Sequence, residues 1–364
     1  MNQELQNLQA AAGAVLTEIA GTSVPSHFSD ESAALQAVRA GVAVCDRSHW
    51  GRILISGADR IRFLHNQTTN DFNCLQPGQG CDTVFVTSTG RTVDLVTAYA
   101  LEDAVLLLVS PNRRQHLMQW MDRFIFFADQ VDLKDITDST TTLSLLGTES
   151  DALLQKLGLD EAIAPSEPSR IAHPHATHHL VNLAGIETRI ATGSGLATPG
   201  YTLIVNREQA ANLWQQLTTA GALPLGEQLW ERLRIEQGRP MPDAELTEDY
   251  NPLEAGLWHT ISFSKGCYIG QETIARLDTY KGVKQQLWGV RLSQPAPPGE
   301  PLLVGEEKVG KLTSLTETEA GLFGLAYVRT KAGGAGLTVT VGSGTGEIVD
   351  LPFLTRDRTN TDPE

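Results

Sequence analysis

Apolar and polar positions alternate along this chain in two ways, and the switches between them mark its elements. Residues 1–20 and 31–40 recur with a helical period, and the second stretch stops at Gly41, a residue suited to a helix end. Residues 52–56 alternate as a strand, Gly57 breaks it, and 58–66 read as a short helix. Strands at 84–86 and 93–100 are joined by the turn Ser88-Thr89-Gly90-Arg91. The apolar run 104–109 is short enough for a buried strand, and 112–124 is a helix with Leu117, Trp120, Met121 and Phe124 on one side.

A second unit begins near residue 133. It offers strands at 142–146, 179–183, 187–191 and 201–205, with helices at 151–157 and 208–220. Residues 226–237 form a helix whose apolar face carries Leu229, Trp230 and Leu233. The loop-rich stretch from 238 to about 280 is long for a compact chain. Its Trp, Tyr, Phe and charged residues favour a functional loop over disorder. Gln294-Pro295-Ala296-Pro297-Pro298-Gly299 is a turn or linker. Around it the pattern changes to short strands only, at 288–292, 301–304, 308–315, 322–328, 337–341 and 347–351, which predicts a small β-barrel. Residues 356–364 read as a polar, disordered tail, and no internal repeat is visible. The class is α+β followed by β.

A chain of 364 residues with 41% hydrophobic and 20% charged residues is a soluble globular protein of two or three domains. No apolar run reaches the ~20 residues of a membrane span. The first 20 residues hold Glu4 and Glu18 but no Lys or Arg, unlike a secretory or transit signal. The expected location is the cytoplasm, with a processed organellar form as the alternative. A net charge of −15 argues against direct nucleic-acid binding but allows a local basic pocket for a small anion. Four cysteines, Cys45, Cys74, Cys81 and Cys267, contain no CxxC pair and do not form a disulfide scaffold. Cys74 and Cys81 flank a Pro-Gly turn and could approach each other, although buried free thiols are commoner.

The strongest local feature is Lys265-Gly266-Cys267-Tyr268-Ile269-Gly270-Gln271-Glu272. Two glycines bracket the cysteine and would expose it at a loop tip. A thiolate is favoured by a neighbouring cation such as Lys265 and by a following helix start, here 272–277. Arg276 lies one turn after Glu272 and could pair with it. A Gly-rich connection around a structural cysteine explains these residues equally well. The histidines His173, His175, His178 and His179 could bind zinc, but Pro174 and the absence of a completing ligand favour a solvated loop, and no resident metal is expected. The glycines of 333–336 and 342–344 lack the residues of a phosphate loop and read as turns. Trp230, Trp258 and Tyr250 either line a pocket or fill the core.

Several segments, in order, resemble the glycine-cleavage T-protein superfamily. These are residues 43–49 with Asp46-Arg47-Ser48; residues 57–71 with Phe63-Leu64 and Thr69-Asn70-Asp71; Leu233-Arg234-Ile235-Glu236-Gln237-Gly238; and residues 248–257. The run from Leu233 to Arg276 is the specific part. Within the superfamily, residues 265–272 are similar to the signature of YgfZ-type proteins. The resemblance implies two α+β domains related to the ferredoxin-like layout around a central folate cavity, plus a C-terminal β-barrel. The implied domains are residues 1–132 with 226–284, then 133–225, then 285–355. It also implies tetrahydrofolate or a derivative as ligand and iron–sulfur client or assembly proteins as partners, with no membrane, for a monomeric protein.

By the same resemblance, Arg234 anchors the folate, although from its sequence neighbours alone a salt bridge with Glu231 or Glu236 is favoured. Cys267 is a reactive thiol, Lys265 favours its thiolate, and Gly266, Tyr268, Gly270, Gln271, Glu272 and Arg276 shape the loop. Asp94, Thr198 and Tyr201 fall at folate-contacting positions. Two departures stand out. Val93 occupies the position of the T-protein catalytic aspartate and cannot carry a proton, with Asp94 beside it. Thr198 stands where T-proteins have a pterin-contacting glutamate. Three roles follow: an accessory protein for assembly or repair of iron–sulfur clusters; a folate-dependent aminomethyltransferase or demethylase, against which Val93 and Cys267 weigh; and a tRNA-modification factor acting indirectly.

Overall fold

The computed structural model describes residues 2–160 and 176–358. Contacts divide the chain into two compact units, Met1–Phe63 with Phe72–Asp82 and Val96–Trp230, and Leu64–Asp71 with Thr83–Leu95 and Glu231–Glu364. The strands Gly80–Val86 and Thr92–Ala100 run from one unit into the other.

In the first unit, six strands form a sheet in the order His178–Leu183, Ile186–Thr192, Gly200–Asn206, Thr140–Leu146, Ala43–Asp46 and Leu223–Leu225. Every pairing is antiparallel except the last, where Leu223 to Leu225 align with Ala43 to Cys45. The helices Gln3–Ala11, Ser150–Lys156 and Ala210–Ala220 supply Leu5, Leu153, Leu154, Leu213 and Trp214 to the core under this sheet. In a second sheet, Gly51–Ser56 pairs antiparallel with Ala104–Val109 and with Asp132–Asp135. Arg52 is fully buried there. Its guanidinium donates to the carbonyls of Ser48, Trp50, Thr137 and Thr140, and burial pulls its pKa down to about 10.

One expectation fails at the N-terminus. The helix expected over 1–20 ends at Ala11, and a hairpin of Val15–Ile19 and Thr22–His27 follows. Gly13 at φ +87° closes the helix, with Gly13 N–H donating to Ala10 and Ala14 N–H to Gln9. That bond pattern needs a left-handed residue just past the helix. The β-branched residues beyond it, Val15, Thr17 and Ile19, then suit a strand.

The second unit contains a closed barrel of six strands in the order Gln285–Leu292, Gly321–Arg329, Glu307–Thr318, Pro301–Val304, Thr338–Val341 and Gly344–Val349. This is the barrel expected from the change of pattern. Val290, Leu302, Leu312, Val328 and Ile348 fill it. Arg356, expected in a disordered tail, instead lies 3.6 Å above the Trp288 ring, and Arg358 pairs with Asp278. The rest of that tail, 359–364, lies outside the described residues. No helix among the described residues is long and apolar enough to cross a membrane.

The histidine group separates. His173 and His175 lie outside the described residues, and His179 is exposed. His178 is not on a solvated loop. It opens a strand, is 2% exposed, accepts from Arg189 Nη1 at Nδ1 (2.8 Å) and donates from Nε2 to the Ala100 carbonyl (3.0 Å). Burial first, then Arg189, push its pKa down to about 4 from 6.5. Between those values the unfolded chain binds the proton and the folded one does not, so stability falls as pH falls through this window. Urea unfolding at pH 4.5 should give about 2–3 kcal/mol less stability from this residue than at pH 7.5. His178→Gln should remove that share of the decline; an equal acid sensitivity in both proteins contradicts the assignment.

Candidate functional site: the cysteine loop and its supports

The loop 265–272 belongs to the second unit and is fastened at both ends. Lys265 is buried, 6% exposed, and its Nζ donates to the carbonyls of His65 (2.5 Å), Thr68 (2.8 Å) and Asn70 (2.7 Å). An ammonium has three donors, so this set uses all of them. These acceptors lie at and just beyond the end of the helix Arg60–Gln67, where carbonyls lack helical partners. Ile269 N–H donates to the Asn66 carbonyl and Ser262 N–H to that of Thr69. Lys265 Nζ also sits 4.7 Å from the centroid of the Tyr268 ring, and burial raises the Tyr268 phenol pKa.

At the other end, Gly270 has φ +80° and precedes the helix Gln271–Thr279. A Cβ there would stand 2.6 Å from the Thr87 carbonyl oxygen and 2.9 Å from Gly90 Cα, so both the conformation and the packing require glycine. Between these two anchors Cys267 is exposed. A helix does begin after the cysteine, as expected, one residue earlier than the pattern suggested. Gln271 is half-buried, and Glu272 and Arg276 are exposed; among the described residues no ion pair joins the last two.

Two neighbours were not foreseen. His65 Nδ1 lies 3.1 Å from Asp71 Oδ1, and His65 Nε2 is 3.9 Å from the point where a Cβ on Gly266 would stand. Burial, and then Lys265, lower the His65 pKa against the pull of Asp71. The Thr69-Asn70-Asp71 turn was visible in the sequence as a family feature, but its partnership with residue 265 was not.

Arg234 is also committed. It is 4% exposed. Nε and Nη2 donate to Glu231 (2.9 and 2.5 Å), Nη1 to Glu245 (2.8 Å) and Nη2 to Ser314 Oγ (3.1 Å). Burial alone would lower its pKa, but Glu245 and Glu231 outweigh it and the net shift is upward. The salt bridge weighed for Arg234 is therefore present, with Glu231; Glu236 pairs with Arg232 instead. Glu245, fully buried, is the partner the sequence did not reveal.

Asp94 is fully buried on Thr92–Ala100, and Val93 is 8% exposed. Thr198 and Tyr201 belong to the first unit. The Thr198 carbonyl accepts from Ser194 Oγ (2.6 Å), while the Tyr201 hydroxyl donates to Asp151 and its ring joins the core. Burial first, then Asp151, raise the Tyr201 pKa. Trp258 fills the second unit's core, and Tyr250 stacks on Tyr327 with ring centroids 3.5 Å apart. Cys45 and Cys81 are buried, and Cys74 and Cys267 are exposed. A local basic cavity of about 820 Å³ in the second unit is lined by Arg91, Lys284, Arg329 and Lys331, opposed by Asp249 and Glu254.

Residues 5–265 match the family model described as the GCVT N-terminal domain. The chain is 44% identical over 342 residues to a chloroplastic protein of Arabidopsis thaliana that carries the name of a transferase, covering 93% of this chain and 77% of that one. It is 30% identical to an aminomethyltransferase of Rubrobacter xylanophilus, covering 97% and 94% of the two chains. The crystal structure of glycine cleavage system aminomethyltransferase T from Bartonella henselae superposes with a TM-score of 0.82 over 98% of each chain, at 19% identity. The chain thus belongs to the GCVT-domain family and has the fold of the glycine-cleavage T-protein.

Proposed function

We propose that the protein binds tetrahydrofolate or a derivative and acts as a YgfZ-type accessory factor in the assembly or repair of iron–sulfur clusters in client enzymes. Cys267 is the working thiol. The observation that carries this reading is the exposure of Cys267 on a loop held rigidly by Lys265 and Gly270. A structural cysteine would be packed; this one is presented to solvent while the residues around it are anchored. His65 Nε2 comes within 3.9 Å of the point where a Cβ on Gly266 would stand, next in sequence to Cys267, and an imidazole whose pKa is lowered is suited to accept a thiol proton. The basic cavity suits the carboxylates of a folate tail. The chloroplastic setting of the Arabidopsis relative makes a plastid the organellar compartment to examine beside the cytoplasm.

A second reading, folate-dependent aminomethyl transfer, is favoured by the end-to-end match to a relative named as an aminomethyltransferase. Against it stands Val93, an apolar side chain where proton transfer needs a carboxylate. Production of methylene-tetrahydrofolate from an aminomethyl-lipoyl carrier would reverse this order.

Three substitutions separate fold from chemistry. Cys267→Ser should leave urea stability within about 0.5 kcal/mol, because the side chain is exposed. It should nevertheless lower iron–sulfur enzyme activities in cells; unchanged activities would remove the working thiol. Lys265→Met leaves three carbonyls without their donor and should cost roughly 2–4 kcal/mol. Arg234→Ala strands the buried Glu245 carboxylate and should cost about 3–5 kcal/mol. Loss of folate affinity in Arg234→Ala without that destabilisation would instead make Arg234 a direct ligand contact.

A further inference from the structure

Asp278 is a carboxylate in an unfavourable place. It lies in the last turn of the helix Gln271–Thr279, at the negative pole of the helix dipole, and it is only 2% exposed. Burying a carboxylate is costly unless cations or donors meet it. Among the described residues two cations do so. Lys281 Nζ stands 3.3 Å from Oδ1, and Arg358 Nη2 donates to Oδ2. Lys281 follows in the same stretch of chain and ties the helix to nothing else. Arg358 comes from 80 positions away.

The segment that carries Arg358 is anchored before it reaches Asp278. Leu351 and Leu354 are buried. Thr355 bridges to Leu257, and its N–H donates to the Gly256 carbonyl. The Thr355 hydroxyl accepts from His259 N–H (3.0 Å), and Arg356 Nη2 donates to the Leu287 carbonyl (2.8 Å). Arg358 therefore extends from a fixed base. Its Cζ also lies 4.5 Å from the centroid of the Phe263 ring, which packs on Trp258 with centroids 5.8 Å apart. A planar guanidinium can cover a ring with its face while its N–H groups donate in the plane.

These two contacts bracket the cysteine loop. Phe263 stands two residues before Lys265, and the helix that holds Asp278 begins after Gly270. We infer that Arg358 is a positioning residue for the cysteine loop, clamping the segment that enters it to the helix that leaves it. The clamp complements the Lys265 anchor and differs from it in access. The Arg358 side chain is 52% exposed, whereas Lys265 is buried. Salt and competing carboxylates therefore reach the clamp and not the anchor, which makes the clamp the adjustable restraint. Its bearing on chemistry rests on the working-thiol reading of Cys267.

Hydrogen exchange of the full chain, read by mass spectrometry at low and high salt, tests this. Arg358→Ala should speed exchange over residues 263–279 by about 10-fold. High salt should speed it in the native protein and add little in the variant. Asp278→Asn removes the buried charge that needs a cation, so Arg358→Ala should add little to it. Arg356→Ala, on the same segment, should leave 263–279 unchanged. Alkylation of Cys267 by iodoacetamide, in a Cys74→Ser background, should slow about 3-fold in Arg358→Ala, because residue 266 loses its fixed approach to the His65 imidazole. Urea midpoints establish that each variant is folded. If Arg358→Ala does not fold, the salt response of the native protein carries the test, and exchange over 263–279 independent of salt overturns the clamp. Unchanged exchange in folded Arg358→Ala, or equal loosening by Arg356→Ala, overturns it as well and leaves the working-thiol reading standing. A loosened loop with undiminished iron–sulfur enzyme activities in cells would support the clamp and remove the working thiol.

Discussion

The ammonium of Lys265 is the constraint on which the cysteine loop depends. One side chain gathers three carbonyls from residues 65, 68 and 70, segments nearly 200 positions away in sequence. A buried carbonyl needs a donor, and Lys265 supplies one to each of the three. The charge is tolerated because oxygen dipoles surround it, which is how a buried cation avoids the full desolvation cost. The interaction fixes where residue 266 begins and hence where Cys267 is presented. It also gives Lys265 a structural role beside the electrostatic one that its sequence position suggests.

Arg234 follows the same logic with carboxylates in place of carbonyls. Four hydrogen bonds to Glu231, Glu245 and Ser314 hold the end of its helix against the loop around 245 and the barrel strand Glu307–Thr318. A guanidinium has five N–H donors, and four of them are used among the described residues. A bidentate grip on a ligand carboxylate would require giving up Glu231 or Glu245, and Glu245 is fully buried. The outer of the two partners, Glu231, is the one that could be exchanged.

The sequence disclosed elements wherever one residue period persisted. The barrel strands, the apolar strand Ala104–Val109 and the helix Glu31–Ala40 were read close to their observed limits because short-range patterning decides them. The N-terminal helix was overextended because Gly13 acts through a left-handed backbone, a single-residue signal inside an apparently helical stretch. The strand Ala43–Asp46 is legible only through the family's strand-turn at 43–49, and Leu223–Leu225 escapes the pattern because it exists only by pairing with that distant strand. The cysteine loop was legible as a motif. Its supports were not, because His65, Asp71 and Glu245 become meaningful only when the fold brings them to Lys265 and Arg234.

Buried polar groups in this molecule differ in whether the fold itself supplies their partners. Arg52, Lys265 and Arg234 have their donors directed to named oxygens, and each ties together elements far apart in the chain, Arg234 through Ser314. His49 is buried as deeply, whereas Glu227, 3.4 Å from it, keeps 16% of its side-chain surface. A fold can hold a polar group for its own stability only if the group finds partners within the fold. Groups held without such partners lower stability, and this is the physical ground for assigning Arg52, Lys265 and Arg234 to architecture.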